Sequence, residues 1–167
     1  MGRSPAPPDV PRQPPATVDD VLALVRASGG RATHSRRVLL EVLFDVHRAG
    51  ATGDGAAGGP AGHHRTAEEL AEQVQQRAPD VALSTIYRNL DDLQALGVVV
   101  HSHLGHGPAT YQLASAAHSH FICDRCGAMI EAPDELFGGL ARTAKARLGF
   151  TIDPHHFAIL GRCAGCQ

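Results

Sequence analysis

The four cysteines of the chain form two Cys-x-x-Cys pairs, a spacing typical of metal-binding knuckles. Cys123 and Cys126 make the first pair, Cys163 and Cys166 make the second, and 36 residues separate the two. Each Cys-x-x-Cys turn can present two thiolates to one ion, so two such turns complete a tetrahedral zinc site. Because the protein supplies all four ligands, no position is left for a substrate. The pattern therefore predicts a structural Zn²⁺ ion.

Two other interpretations of the cysteines are weaker. Incidental cysteines rarely pair at this spacing, and a thioredoxin-like dithiol would open a helix within a βαβ pattern, which neither pair does. The N-terminal stretch lacks the apolar segment of a secretory signal, so we expect a cytoplasmic protein. In that compartment cysteines more often bind metal or do redox chemistry than form disulfides.

Histidine is the unusual residue of the composition, with 11 among 167 residues. Two His-x-His motifs, His101–His103 and His118–His120, fall on predicted strands. Residues i and i+2 of a strand share one face, so both rings of a motif can reach one ion. Imidazole suits zinc, nickel and iron, so the residue type does not select the metal. The alternative is a pair of exposed polar side chains.

A predicted helix that begins with Ser84 carries the strongest candidates for nucleic-acid contact. Ser84 is expected to cap the helix, and Ile86 and Leu90 are expected to face the core. Donors and an aromatic ring suited to phosphates and base edges occupy the other positions, Thr85, Tyr87, Arg88 and Asn89. A basic cluster near the start of an earlier helix adds Arg31, Arg36 and Arg37. Either feature could also be an ordinary solvated surface.

The elements that position these residues can be read from capping signals and periodicity. Thr17 and Thr33 are expected to cap two helices, and the capping box Thr66–Glu69 starts a third before the helix at Ser84. A β-hairpin signal follows between residues 98 and 113, and helices followed by a hairpin are the winged-helix layout. Beyond it the pattern predicts two strands, a helix over 134–148 and a last strand. Residues 49–62 are Gly/Ala-rich and read as a flexible loop.

We therefore expect an α+β protein with a disordered Pro-rich tail at 1–16, a winged helix-turn-helix DNA-binding domain at 17–114 and a small α/β metal-binding domain at 115–167. The net charge is −2. Between residues 18 and 96, eight arginines stand against eleven acidic residues. Any DNA binding must therefore depend on where the arginines lie. No apolar run approaches the ~20 residues that a membrane span needs, so no membrane partner is expected.

In order and spacing, motifs from about Val18 to Cys166 resemble the ferric uptake regulator family. They are Arg31-Ala-Thr33, Arg36, His64, Ala67-Glu-Glu-Leu70, Ser84-Thr-Ile-Tyr-Arg-Asn-Leu90, His118-Ser-His120, Cys123-Asp-Arg-Cys126-Gly127, Ile130-Glu131, Gly149-Phe150 and Gly161-Arg-Cys163-Ala-Gly-Cys166. The resemblance implies a metal-dependent repressor of metal homeostasis genes, without enzymatic activity or a small-molecule substrate. It also implies a homodimer, formed through the C-terminal domain, that binds an inverted-repeat operator in double-stranded DNA.

The resemblance also assigns ligands and DNA contacts. A regulatory divalent ion, Ni²⁺, Zn²⁺ or Fe²⁺, would lie between the domains. Its ligands would be His64, His118, His120 and Glu131. Gln112 stands where the family has a carboxylate and is a further candidate, although an amide is the weaker ligand. DNA contacts are expected from Arg31, Arg36, Ser84, Thr85, Tyr87 and Arg88.

A finer similarity links the chain to the nickel-responsive branch of high-GC Gram-positive bacteria. It rests on the stretches 101–107 and 156–163, and it implies a second metal site at His101, His103 and His156. The nickel site of that branch has one more histidine where Ala116 stands here.

Three other functions compete with a metal-responsive repressor. A peroxide-sensing repressor of the same family would hold iron, but such sensors typically have aspartates where Gln112 and Glu131 stand. A zinc-dependent hydrolase would need an open zinc site with a general base, and the HExxH motif does not occur. An interaction module with a structural zinc would bind DNA, if at all, without metal dependence.

Overall fold

The computed structural model describes residues 15–51, 64–103, 108–116, 119–132, 134–152 and 158–167. Residues 1–14 of the predicted tail, residues 52–62 of the predicted loop, and His118 and His156 lie outside these ranges. Residues 49–51, predicted as the start of that loop, are helical instead. Among the described residues, no helix is long and apolar enough to cross a membrane.

Four helices form the N-terminal part, and their boundaries follow the capping signals. Helix α1 spans Val18–Ala27, α2 His34–Ala51, α3 Ala67–Arg77 and α4 Leu83–Ala95. Thr17 and Thr66 both form complete capping boxes, with Asp20 and Glu69 respectively. The Thr33 hydroxyl accepts a hydrogen bond from the backbone N–H of Arg36 at 3.3 Å. These predicted helix starts are confirmed.

The start of α4 differs from the prediction by two residues. Its N-cap is Ala82, which offers no side-chain cap, and Ser84 is already the second residue of the helix. The predicted cap at Ser84 is therefore wrong. The helix ends before Gly97, which has a φ of +69°, a conformation that favours glycine.

The predicted hairpin forms and pairs with one additional strand. Strand β2 spans Val99–His103 and β3 spans Ala109–Leu113, and they pair antiparallel. The short strand β1, Arg65–Thr66, lies on the other side of β3 and gives the sheet order β1-β3-β2. The sequence analysis did not predict β1, because two residues carry no periodicity. Its consequence is that the chain just before α3 is held against the hairpin.

A second sheet and one helix form the C-terminal part. Strands β4 (Ser119–Cys123), β5 (Met129–Ala132) and β6 (Ala158–Gly161) are ordered β5-β4-β6. Strand β5 is antiparallel to β4, whereas β6 is parallel to it. Helix α5, Asp134–Leu148, packs on the sheet through Phe137, whose ring stacks on Phe121 at 5.9 Å. The predicted order strand, strand, helix, strand is confirmed.

Burial differs between the two parts. The large continuous core belongs to α1–α4 and the hairpin, from Val21 to Leu113. In the C-terminal part several large apolar side chains are exposed instead: Ile130, Leu136, Leu140, Leu148, Phe150, Ile159 and Leu160. In the N-terminal part of the described chain, by contrast, the exposed large apolar residues are Leu83 and Tyr87.

Candidate functional site

The structure brings the four cysteine sulfurs together. All four Sγ atoms lie within 4.8 Å of one another, and those of Cys126 and Cys163 are 3.7 Å apart. Zn–S bonds of ~2.3 Å in a tetrahedron place sulfurs about 3.8 Å apart, whereas a disulfide needs ~2.05 Å. The spacing fits a four-thiolate zinc site and does not fit disulfides.

Parallel strand pairing explains why two knuckles so distant in sequence meet. Cys123 is opposite Gly161 in the β4–β6 register, so both strands end at the same edge of the sheet. The backbone N–H of Asp124 donates to the Gly161 carbonyl at 2.9 Å. Gly127 adopts a φ of +72° and its N–H donates to the Cys123 carbonyl, which closes the first turn. The edge is thus built by the backbone, and the cysteines occupy it.

Hydrogen bonds within the cluster shift the pKa values of Cys123 and Cys166 in opposite directions. Hydrogen bonds from the backbone N–H of Cys163, and then of Cys126 and Arg125, lower the pKa of Cys123 to about 6. Hydrogen bonds with Cys126 and Cys163 raise the pKa of Cys166 to about 12. A divalent ion would have to displace at least the Cys166 proton, so affinity for the ion depends on pH.

Two predicted ligands from different parts of the chain meet in the interior. The Nε2 atoms of His64 and His120 lie 3.0 Å apart, and the rings are edge-on with centroids 4.6 Å apart. Both residues are buried. Zn–N bonds of ~2.0–2.1 Å in a tetrahedron place nitrogens about 3.3 Å apart, so this spacing is close to that of two ligands on one ion. His64 precedes β1, whereas His120 lies on the central strand β4.

Gln112 lies on the strand that pairs with β1, which directly follows His64, and its side-chain oxygen has no partner among the described residues. It is on β3, which pairs with β1 so that Arg65 is opposite Tyr111. Continuing that register by one residue places His64 opposite Gln112. The Gln112 side chain is 2% exposed, and its Oε1 has no hydrogen-bond partner among the described residues. A buried carbonyl oxygen without a partner is costly, and a cation would satisfy it.

The structure places the remaining predicted ligands only in part. Glu131 is the register partner of His120 in the β4–β5 pair, and its backbone therefore lies at the same level of the sheet. His101 lies on β2, where its Nδ1 is 3.0 Å from Oε1 of Gln94 at the end of α4. The backbone of His103 is on the same strand, but the side chains of His103 and Glu131 are outside the described part of the chain. The second metal site at His101, His103 and His156 stays a prediction.

The exposed face of α4 carries most of the residues predicted to contact DNA. Ser84, Tyr87 and Arg88 are exposed, and Thr85 is half-buried. The Tyr87 hydroxyl donates to Oε1 of Glu68 on α3 at 2.7 Å, and this bond raises the pKa of the tyrosine. Arg31 is exposed in the loop between α1 and α2. These side chains can reach a ligand outside the protein.

Arg36 and Asn89 are placed differently from the prediction. Arg36 is 6% exposed and Asn89 is 5% exposed, and Arg36 Nε donates to Asn89 Oδ1 at 3.1 Å. The predicted direct DNA contact by Arg36 and the predicted open-side position of Asn89 are corrected accordingly. Sequence showed the charge of Arg36 but not its burial. The sequence signal for this burial is Asp92 on α4, an acid that can pair with a buried guanidinium and does pair with that of Arg36.

Comparison with known proteins adds to this geometry. The sequence model of the Ferric uptake regulator family matches residues 59–160. The peroxide-responsive repressor of Staphylococcus aureus is 25% identical over 150 residues, which cover 90% of this chain and 91% of that protein.

Solved structures share the fold. The ferric uptake regulator of Pseudomonas aeruginosa, determined with manganese, aligns with a TM-score of 0.61 and 24% identity over 85% of this chain and 96% of its own. The Vibrio cholerae ferric uptake regulator aligns with a TM-score of 0.60 and 25% identity over 84% of this chain and 98% of its own. The Helicobacter pylori ferric uptake regulator, described as having three functional metal-binding sites, aligns with a TM-score of 0.63 and 21% identity over 90% of this chain and 93% of its own.

Proposed function

The chain belongs to the ferric uptake regulator family, and we propose that it is a metal-responsive transcriptional repressor that binds operator DNA as a homodimer. The observation that carries this proposal is the buried His64–His120 pair, with Nε2 atoms 3.0 Å apart. One histidine is attached to the DNA-binding helices and the other to the sheet that holds the cysteine cluster. An ion bound at a site that both parts form can therefore change how the protein binds DNA.

The donors around the pair fit a regulatory divalent ion. His64, His120 and the oxygen of Gln112 supply two nitrogens and one neutral oxygen, and His118 and Glu131 are proposed to complete the set. An ion bound by ligands from both parts favours the arrangement in which they lie together, and only such a difference in affinity shifts a population. We propose that this arrangement sets the separation of the two α4 helices in the dimer.

The cysteine cluster is proposed to hold one structural zinc. Its four sulfurs leave no protein ligand position open, and they tie the ends of β4 and β6 together. Structural zinc contributes on the order of 10 kcal/mol to the folding of small domains. A module of this size, with much of its apolar surface exposed, needs such a staple.

The exposed apolar residues support the homodimer. Ile159 and Leu160 on β6, Leu136 and Leu140 on α5, and Phe150 after it are all at least 36% exposed in the single chain. Covering these side chains with a second copy would stabilise both copies through the hydrophobic effect. The same pairing would present two α4 helices to the two halves of an inverted repeat.

A peroxide-sensing repressor is the second candidate, since the S. aureus relative is one. Gln112 and Glu131 count against it, because they stand where such sensors typically have aspartates. None of the relatives described above is a nickel regulator, and nickel stays a proposal that rests on His101, His103 and His156. The experiment must therefore identify which ion changes DNA binding.

Metal-titrated DNA binding tests the proposal. An operator would first be selected from a random duplex pool by the purified, zinc-loaded dimer in the presence of each candidate ion. Affinity would then be measured against Zn²⁺, Ni²⁺, Fe²⁺ and Mn²⁺ by fluorescence anisotropy. We expect one or more of these ions to strengthen operator binding. Operator affinity that is identical with and without every ion would show an interaction module instead.

Peroxide treatment separates the second candidate. The Fe²⁺-loaded protein would be exposed to hydrogen peroxide and digested for mass spectrometry. Oxygen added to the peptides with His64 or His120, together with loss of DNA binding, would identify a peroxide sensor. A repressor that responds to metal alone should show no oxygen added to either peptide and should keep its DNA binding.

A further inference from the structure

Arg36 is a buried cation that contacts both segments predicted to reach DNA. Its Nη1 donates to the backbone carbonyl of Arg31 at 2.8 Å, and its Nε donates to Oδ1 of Asn89 at 3.1 Å. Its Nη2 pairs with the carboxylate of Asp92. One guanidinium thus connects the loop between α1 and α2 to the inner side of α4.

The loop is shaped to allow this contact. A Cβ atom at Gly30 would lie 2.9 Å from Cγ1 of Val25, 3.0 Å from the Val25 carbonyl oxygen and 3.5 Å from Nη1 of Arg36. Only a residue without a side chain lets the loop pass this close. The carbonyl of Arg31 is thereby held within reach of the guanidinium, and the Arg31 side chain projects from a fixed backbone.

The chemistry of the contact requires arginine. Arginine is almost never buried without a partner, and its planar fork offers several N–H donors in fixed directions. Here the fork reaches a carbonyl, an amide and a carboxylate on two elements at once. The ammonium of lysine keeps the charge but cannot reproduce the three directions. Asn89 follows Arg88 directly, so the bond to Arg36 fixes how α4 is rotated about its axis.

We propose that Arg36 is a positioning residue for specific DNA recognition, which fixes the loop of Arg31 relative to the Tyr87–Arg88 face of α4 without itself contacting DNA. This inference rests on the proposed function and deepens it. Phosphate contacts tolerate small displacements, whereas base contacts need an accurate register in the groove. Loss of the guanidinium bonds should therefore reduce specific binding more than non-specific binding.

Asp92 distinguishes a positioning role from a direct effect of charge, because the two predict opposite changes in operator affinity. It is an acidic residue on the DNA-binding helix, with a side chain 61% exposed. If it acted only through its charge, its removal would reduce repulsion of phosphates and strengthen binding. If it holds Arg36, its removal weakens operator binding instead.

The experiment uses the full-length, metal-loaded dimer with the variants Asp92→Asn and Arg36→Lys and their double variant. Asp91→Asn is the matched control, because Asp91 is the exposed neighbouring acid on the same helix. Affinity for the selected operator and for a random duplex of equal length would be measured over a salt series. Circular dichroism and zinc content would establish that each variant is folded.

We expect Asp92→Asn and Arg36→Lys each to weaken operator binding at least ~10-fold, the size of a lost base contact. Random-duplex binding and the salt slope should stay unchanged, and the double variant should be no weaker than Arg36→Lys. Asp91→Asn should leave operator binding unchanged or slightly stronger. If instead both single variants bind the operator as the wild type does, or Asp92→Asn binds it more tightly, Arg36 has no positioning role. A wild type that selects no duplex with any ion refutes the proposed function, and this inference with it.

Discussion

The imidazole nitrogens of His64 and His120 lie 3.0 Å apart although the two residues belong to different parts of the protein. His64 is followed at once by β1 and by the capping box of α3, so its position is coupled to the DNA-binding helices. His120 lies on β4, the strand that ends at Cys123 in the cysteine cluster. A change in the distance between the two histidines therefore changes how the DNA-binding helices lie relative to the sheet that holds the cysteine cluster.

The first prediction concerns His64→Ala and His120→Ala, which should have the same effect. Each removes one ligand of the proposed regulatory ion, so each should abolish metal-stimulated operator binding while the cysteine zinc and the dimer remain. A coupling of ~100-fold corresponds to about 2.7 kcal/mol, enough to turn a mostly open population into a mostly closed one. Anisotropy titrations with and without the ion measure this coupling.

Ser119→Ala is the control for these variants, since it changes the same strand without removing an imidazole or a carboxylate. It should retain full metal dependence. If His64→Ala also retains it, regulation does not pass through this pair and would instead have to involve His101, His103 and His156.

The second prediction concerns Gln112→Glu. A carboxylate beside two imidazoles binds a divalent ion more tightly than an amide does, so metal affinity should rise ~10-fold or more. Without metal, the same change buries a negative charge and should lower the free energy of unfolding by ~2 kcal/mol or more. Thermal unfolding should therefore shift down in the metal-free protein and by less in the metal-loaded protein, because a ~10-fold rise in affinity returns about 1.4 kcal/mol of stability. Gln112→Met, which removes the oxygen at similar volume, should weaken metal binding and stabilise the metal-free state. An equal loss of stability with and without metal in Gln112→Glu would place Gln112 outside the site.

Capping residues and the cysteine spacing could be interpreted from sequence because their chemistry is local. Thr17 and Thr66 satisfy backbone N–H groups three residues away, and the limits of α5 at Asp134 and Leu148 agree with the prediction. A Cys-x-x-Cys turn likewise defines two ligands within four residues. Such signals do not depend on what the rest of the chain does.

The parts that sequence could not supply depend on tertiary packing. Arg36 and Asn89 are polar and were assigned to the surface, but α2 and α4 pack so that they face each other. Strand β1 has two residues, and only its pairing with β3 defines it. The burial of Gln112, whose Oε1 has no hydrogen-bond partner in the described part of the chain, follows from the same sheet, since Gln112 lies on β3 between β1 and β2.

The third prediction concerns Cys163→Ser, which should lose the structural zinc and the dimer together. Without the cluster, the end of β6 is held to β4 by backbone hydrogen bonds without the metal cross-link, and β6 carries the exposed Ile159 and Leu160 proposed for the dimer contact. Zinc content by mass spectrometry and molar mass by light scattering measure the two losses. A stable, zinc-free dimer would contradict the structural role of the site.

The fourth prediction is the pH dependence of zinc binding. The pKa of Cys166 is raised to about 12, so its proton must leave when zinc binds near neutral pH. Apparent affinity should then fall ~10-fold or more for each pH unit of acidification. The pKa of Cys163 is raised as well, so its proton adds to this dependence. Below about 6 the pKa of Cys123 is also passed, and the dependence should steepen because a further thiolate becomes protonated. Competition with a chromophoric chelator over a pH series measures the slope, and an affinity independent of pH would contradict it.

The last prediction compares Arg88→Ala with Tyr87→Phe on the exposed face of α4. Arg88 is exposed, and its loss should cost ~1–3 kcal/mol of operator binding if it reads a base edge, or reduce the salt slope by about 1 if it contacts a phosphate. Tyr87→Phe removes only the hydroxyl that now donates to Glu68 on α3. If the Tyr87 hydroxyl donates to DNA in the complex, Tyr87→Phe weakens operator binding. Glu68→Gln then strengthens operator binding, because it removes a negative charge and makes the competing acceptor weaker. If the hydroxyl serves only to hold α3 against α4, Tyr87→Phe lowers thermal stability and leaves operator affinity unchanged. Footprints of all three variants on the selected operator, together with their unfolding curves, separate these outcomes. If Arg88→Ala and Tyr87→Phe both leave the footprint and the operator affinity unchanged, α4 does not lie at the DNA interface.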